Sequence, residues 1–195
     1  MSGRRSGNLA LAVHACEDGA LERLIRTYQD PIFGYALRLL RDPFEAQEVT
    51  QDVFLRAFRA LTSKYDEERS RNLALRPWLF CIARNLARNR RRSREARAEE
   101  RIPDEPEESI GFALGQANPA SELEAGQQRR LLEWAFDRLD TASREMVWLR
   151  FFEEMTHREI AAIVGLTESA VRGKVFRALR KLRAALSKAE GRHAL

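Results

Sequence analysis

Residues 156–186 read THREIAAIVGLTESAVRGKVFRALRKLRAAL, and the phase of their apolar positions decides the fold. Thr156 stands three residues before Glu159, the spacing of a reciprocal N-terminal cap. Ile160, Ile163 and Val164 then make a short helix that stops at Gly165, the residue type that accepts the left-handed conformation at a helix end. Thr167 can cap a second helix running from Glu168 to about Leu186. At about 100° per residue, Val171, Val175, Leu179, Leu182 and Leu186 fall within an arc of about 80° and form a core stripe. Outside that arc lie Arg172, Gly173, Phe176, Arg177, Arg180 and Arg183. Two helices joined by a three-residue turn containing glycine, the second one basic, describe a helix-turn-helix. The second helix of such a unit sets its first turns in the major groove, where arginine pairs with guanine edges and an apolar ring meets a thymine methyl. A solvated face on an ordinary helical hairpin would account for the arginines. It accounts poorly for Phe176, a large aromatic lying off the apolar stripe.

Upstream, residues 76–93 read RPWLFCIARNLARNRRRS. Pro77 suits the first helical position. Leu79, Ile82, Ala83 and Leu86 recur at i, i+3, i+4 and i+7 and form a buried stripe. On a different face Trp78, Cys81, Asn85, Arg88 and Asn89 line up along the helix. Aromatic, amide and guanidinium groups on one strip suit single-stranded nucleic acid, because rings stack on bases, amides read exposed edges and arginines hold phosphates. A core tryptophan followed by a solvated arginine tail is the plainer explanation, and it leaves the amides without a role. Residues 42–61, DPFEAQEVTQDVFLRAFRAL, carry more apolar surface than one core face uses. Ala46, Val49, Val53, Ala57 and Ala60 make a small-residue stripe. Gln51, Leu55 and Phe58 point the other way, flanked by Glu48 and Asp52. A second apolar patch rimmed by acids suits docking on a partner protein. Burial on two sides of one bundle would suit it equally, and both readings stand at this point.

Composition bounds the class. The chain has 195 residues, 44% of them apolar and 32% charged, with ten glycines and six prolines, so it can build packed cores. Thirty-four basic residues against 29 acidic ones give a net charge of +5. The charge is clustered: Arg84–Arg94 holds six arginines and no acid, 99–124 holds eight acids against Arg101, and 170–188 holds seven basic residues and no acid. The acidic stretch contains Pro103, Pro106 and Pro119 and lacks periodicity, so it reads as a linker. The expected division is a disordered N-terminus at 1–15, a domain at 16–95, a linker at 96–121, a second domain at 122–188 and a tail at 189–195. Such a linker spans roughly 30 Å relaxed and at most about 90 Å extended. Both domains read as all-α: Asp30-Pro31, Asp42-Pro43 and Ser121-x-x-Glu124 add three helix starts, and no segment alternates like a strand. No apolar run approaches the roughly 18 residues of a membrane span, and the opening MSGRRSGNLALAVHAC is too weakly apolar for a signal peptide. Cys16 and Cys81 form no CxxC pair and read as structural, and with His14, His157 and His193 scattered no metal ligand set is expected. No cofactor or catalytic residue is expected either, since HExxH, P-loop and GxSxG motifs are absent. The chain is expected in the cytoplasm.

The order of an acidic docking helix, a WLF-I-ARN-ARN-R helix, an acidic linker and a terminal helix-turn-helix resembles the bacterial sigma-70 family, specifically its small extracytoplasmic-function (ECF) group, which keeps regions 2 and 4. The likeness covers roughly residues 16–95 and 125–186. It implies two small helical domains and a subunit that binds core RNA polymerase, through the β′ clamp and the β subunit, and directs promoter-specific initiation. It further implies promoter DNA, double- and single-stranded, and an anti-sigma factor as partners, without membrane insertion. By the same resemblance Glu48, Gln51, Asp52, Leu55 and Phe58 match the polymerase-gripping part of region 2. Asn85 matches a position that reads a base flipped out of the −10 element, and Trp78, Arg88 and Asn89 match positions at the melting fork. Thr167, Arg172, Gly173, Lys174, Phe176, Arg177 and Arg180 match the helix that reads the −35 element. Gly173 departs from the polar residue common in the family, and a glycine costs a helix about 1 kcal/mol relative to alanine. The loop between the docking and melting helices, TSKYDEERSRNLALR, is long and charged. Two other classes remain in view: a self-sufficient DNA-binding regulator that dimerises through its N-terminal bundle, and a nucleic-acid-processing enzyme, which would need a carboxylate cluster or an activated nucleophile.

Overall fold

The computed structural model describes residues 3–99, 132 and 134–193. All regular structure among them is helical, and the chain divides into two compact units, Met1–Glu107 and Glu108–Leu195. The expected all-α fold holds.

The first unit contains α1 (Gly3–His14), α2 (Ala20–Leu40), α3 (Pro43–Ser63), α4 (Glu67–Asn72) and α5 (Leu75–Glu99). Helices α2, α3 and α5 pack on one another, and α1 lies against α3 and α4. Ala46, Val49, Val53 and Ala57 of α3 are fully buried. Their small side chains let the neighbouring helix axes approach closely, and larger groups fill the remaining volume. Tyr35 of α2 meets Phe80 of α5 with ring centroids 5.1 Å apart, in a tilted arrangement favoured by ring quadrupoles. Leu24, Ile32, Leu61, Leu75 and Leu79 complete that core. Asp42 caps α3 as the sequence indicates, its carboxylate accepting from the backbone N–H groups of Phe44 and Glu45 at 2.8 and 3.0 Å.

Two expectations for this unit need correction. Helix α1 spans Gly3–His14, within the stretch expected to be disordered, with Ala10, Ala12 and Val13 buried. The His14 ring Nδ1–H also donates to the Leu61 carbonyl at 2.8 Å, tying α1 to the end of α3. Asp30 is not an N-cap either, because α2 runs through Pro31 without a break. The stripe Ala20, Leu24, Tyr28, Ile32, Tyr35, Ala36 and Leu40 stays buried on both sides of the proline, and that continuous burial outweighs the hydrogen bond a proline cannot make. Similarly, α5 begins at Leu75, so Pro77 sits within the first turn, where its missing N–H is one of the groups with no intrahelical partner anyway.

The second unit contains a helical turn at 134–137, then α6 (Thr141–Phe151), α7 (His157–Val164) and α8 (Glu168–His193). Asp140 caps α6, accepting from Ser143 N–H at 2.9 Å. The Arg144 guanidinium donates to the carbonyls of Asp137 and Leu139 and pairs with the Asp137 carboxylate at 3.3 Å, fastening the preceding turn. The core joins Ala135, Phe136, Leu139 and Val147 to Ala178, Leu182 and Ala185 of α8, with Leu186 packed beside them. Helix α8 continues through the expected tail to His193. The Ser121 cap and most of the expected linker lie outside the described residues. Leu179, expected in the core stripe, is 38% exposed. The buried line instead follows Val171, Val175, Ala178, Leu182 and Ala185, which places Leu179 at its edge beside the basic face.

Candidate functional site

Three surfaces gather the residues singled out in the sequence. On the outer face of α3, Leu55 is 54% exposed and Phe58 37%, with Gln51 exposed beside them. Phe44, in the first turn, is more exposed still. The opposite face of the same helix is fully buried, so this patch is not used by the unit's own core. Glu48 and Asp52 rim it, and both are ion-paired across to Arg90 of α5. Sequence reasoning missed Arg90. It falls in an arginine run, and no local signal shows that this arginine turns back to a helix 42 residues earlier in the chain.

The second surface lies on α5. Asn85, Arg88 and Asn89 are exposed along one strip, with Cys81 and Trp78 half-buried toward its N-terminal end. The Trp78 ring lies 5.6 Å from that of Tyr65, tilted by 47°. Arg69 covers the Tyr65 ring, with its guanidinium carbon 3.9 Å from the centroid. The charged loop therefore supplies two further groups to the tryptophan end of the strip. Asp66 fixes their geometry by capping α4, its carboxylate accepting from Arg69 N–H at 2.7 Å. The only sequence signal for this arrangement is an aromatic residue four positions before an arginine, in a segment without clear periodicity. Burial pushes the Cys81 thiol up, against a smaller opposing effect of Arg84, so this sulfur is a poor nucleophile at neutral pH.

The third surface is the helix-turn-helix. Its turn is built as the sequence indicates. Thr156 and Glu159 form a full capping box, Gly165 adopts φ 71° and its N–H bonds the Ala161 carbonyl at 2.9 Å, and the Thr167 hydroxyl accepts from Ala170 N–H at 3.3 Å. On α8, Phe176 is 61% exposed, and Arg172, Arg177, Arg180 and Arg183 are exposed around it. Arg172 is ion-paired one turn back to Glu168 at 3.2 Å. Gly173 lies on this outer face, and a Cβ built there would come within 3.3 Å of the Arg177 guanidinium. Lys174 is not brought to this face. It is half-buried on the inner flank, where its charge contributes to holding the Asp140 carboxyl below the usual range, after the larger effects of the Ser143 hydroxyl and backbone N–H.

No group of three or more His, Cys, Asp or Glu side chains could hold a metal among the described residues, and no described helix is long and apolar enough to cross a membrane. Among the described residues, Asp42, Asp66, Asp140 and Glu159 cap helices, and Glu22, Glu48, Asp52, Glu67, Asp137 and Glu168 pair with arginines.

Comparison with known proteins agrees with this layout. The family described as Sigma-70 region 2 matches residues 24–97, and Sigma-70, region 4 matches residues 135–184. The chain is 33% identical over 146 residues to the RNA polymerase sigma factor CnrH of Cupriavidus metallidurans, covering 73% of each protein. It is 28% identical over 175 residues to the ECF RNA polymerase sigma factor SigL of Mycobacterium tuberculosis, covering 88% of this chain and 92% of that one. A longer relative, "Probable RNA polymerase sigma factor RfaY" of Xanthomonas campestris pv. campestris, is 29% identical over 170 residues, which span 86% of this chain and 40% of that protein. Among solved structures, CnrH in complex with the cytosolic domain of CnrY superposes with a TM-score of 0.63 at 23% identity, over 94% of this chain and 97% of that one. The sigma factor RpoE in complex with the anti-sigma factor NepR from Bartonella quintana gives 0.62 at 22% identity, over 87% and 98%. Both likenesses show the fold.

Proposed function

The chain belongs to the sigma-70 family, in its ECF group, and on that premise we propose how its three surfaces divide the work of promoter-specific transcription initiation. The α3 patch of Gln51, Leu55 and Phe58, with Glu48 and Asp52 at its rim, docks on the β′ clamp of core RNA polymerase. The α5 strip of Trp78, Asn85, Arg88 and Asn89 binds the −10 element as its strands separate. Arg172, Gly173, Phe176, Arg177 and Arg180 read the −35 element, with Thr167 capping the helix that carries them. Lys174 supports that helix from its inner flank. The second unit also meets the β subunit, and an anti-sigma factor binds the chain when it is held inactive; RpoE of Bartonella quintana is such a partner of the anti-sigma factor NepR. The chain acts in the cytoplasm, and the polymerase, not this subunit, performs the chemistry.

The observation that carries this reading is the pairing in one chain of an unused acid-rimmed apolar face with an unused basic face bearing an exposed phenylalanine. A free-standing regulator needs only the second. The test is co-purification with core polymerase followed by DNA protection. The complex should protect two separated promoter elements, whereas the chain alone should protect neither fully. Protection of a palindrome by a dimer of the chain alone would overturn the reading.

A further inference from the structure

Arg90 stands where the buried stripe of α5 runs out. Ala83, Leu86 and Ala87 are buried in a bundle where α5 packs on α2 and α3. Arg90 follows Leu86 by four residues and Ala83 by seven, so it continues the same face with a guanidinium in place of an apolar group. It reaches the acidic line of α3. One terminal nitrogen donates to Glu48 Oε2, and the other lies 3.6 Å from Asp52 Oδ2. Glu45, one turn before Glu48, adds its negative field, and its Oε2 is shielded from solvent without a hydrogen-bond partner. The hydrogen bond to Glu48 and the surrounding carboxylates push the guanidinium further above the ordinary arginine range, so its charge is permanent. Arg90 is the shielded member of the cluster, with 32% of its side chain exposed against 63% for Glu48 and 42% for Asp52.

We propose that Arg90 is a positioning residue for polymerase docking, fixing Glu48 and Asp52 at the rim of the Leu55 and Phe58 patch so that a basic surface of the polymerase meets them already ordered. The inference rests on the docking role of α3. A carboxylate has acceptor capacity left after one oxygen serves a guanidinium, so each rim acid can bond Arg90 and a partner's donor together. Ordering such side chains before association removes a cost otherwise met on binding. Ion pairs this exposed add little to folding stability, so affinity and stability should respond differently to the loss of Arg90.

The experiment measures affinity of the labelled full chain for core polymerase by anisotropy, with thermal melting of each variant alongside. Arg90→Gln should weaken docking about three- to tenfold in the natural background and less than about twofold when Glu48→Gln and Asp52→Asn are already present. Arg90→Lys, which keeps the charge and loses the fork, should fall between. An equal loss in both backgrounds, or tighter binding by Arg90→Gln, would overturn the proposal; the latter outcome would mean that Arg90 competes with the polymerase for the acids. Leu55→Asp serves as the reference. If it abolishes docking while Arg90→Gln changes nothing, the positioning role alone fails. If Leu55→Asp also binds normally, the docking role of α3 fails.

Discussion

Helices α3 and α8 each present one more face than their cores use, and the two surplus faces have opposite chemistry. On α3 the outer face is apolar, with Leu55 and Phe58 open to solvent and its rim acids held across the bundle by ion pairs to Arg90. On α8 the outer face is cationic around an exposed ring, Phe176, and Arg172 pairs with Glu168 within the helix itself. An apolar patch with fixed charges around it suits a protein surface of complementary shape. A line of exposed arginines suits a polyanion whose phosphates can each take one. The same secondary structure thus selects two classes of partner through what covers its outward third.

The contrast can be broken most sharply at the apolar patch. Leu55→Asp or Phe58→Asp should abolish assembly with core polymerase, a loss of at least about 2 kcal/mol of binding per site, while circular dichroism of the chain stays helical. Retention of both variants on a polymerase affinity column would move the docking surface elsewhere. The α5 strip is the next test. Trp78→Ala with Asn85→Ala should slow open-complex formation by about 1–3 kcal/mol for each stacked base lost, with initial promoter binding changed much less. A pre-melted template should restore most of the rate. On α8 the effects become smaller and split by position. Arg172→Ala or Phe176→Ala should alter which upstream sequences are preferred, by about 1–3 kcal/mol. Arg180→Ala or Arg183→Ala should weaken all sequences alike and lower the salt slope by about one per phosphate contact, as read from a promoter library at several salt concentrations.

The smallest expected effect concerns stability alone. Asp140→Ala should cost about 1 kcal/mol, the usual value of an N-cap. Because the Ser143 hydroxyl and N–H hold the Asp140 carboxyl below the usual range, the difference should be fully present above the ordinary aspartate value of about 3.9. It should fade as pH falls through the lower folded value. A difference between variant and parent that stayed constant from neutral to acid pH in tryptophan-detected melting would contradict that cause.

What the sequence made legible were features whose causes are local. Asp42, Thr156 and Gly165 act through hydrogen bonds within a few residues, and each stands where the sequence puts it. The stripes of α3 and α5 follow helical period over several turns and are legible for the same reason, with Ala60 and Ile82 half-buried at their margins. The misses share a tertiary origin. Helix α1 is short, and it is held by packing on α3 and α4 and by the His14 bond to Leu61, none of which leaves a local mark. Asp30-Pro31 has the form of a helix start, yet the burial of Tyr28, Ile32 and Tyr35 on either side carries α2 straight through. Lys174 and Arg90 were grouped with their basic neighbours, whereas helix phase turns one toward Asp140 and the other toward Glu48.

The division of labour between the surfaces is tested most directly by run-off transcription with purified core polymerase on matched duplex and pre-melted templates. The unaltered chain should give specific transcripts from both. Leu55→Asp should give none from either, the Trp78→Ala and Asn85→Ala double variant should recover only on the pre-melted template, and Arg172→Ala should be reduced on both in proportion to its upstream sequence. Equal activity of the Trp78 and Asn85 double variant on the two templates, or transcription supported by Leu55→Asp, would contradict the account.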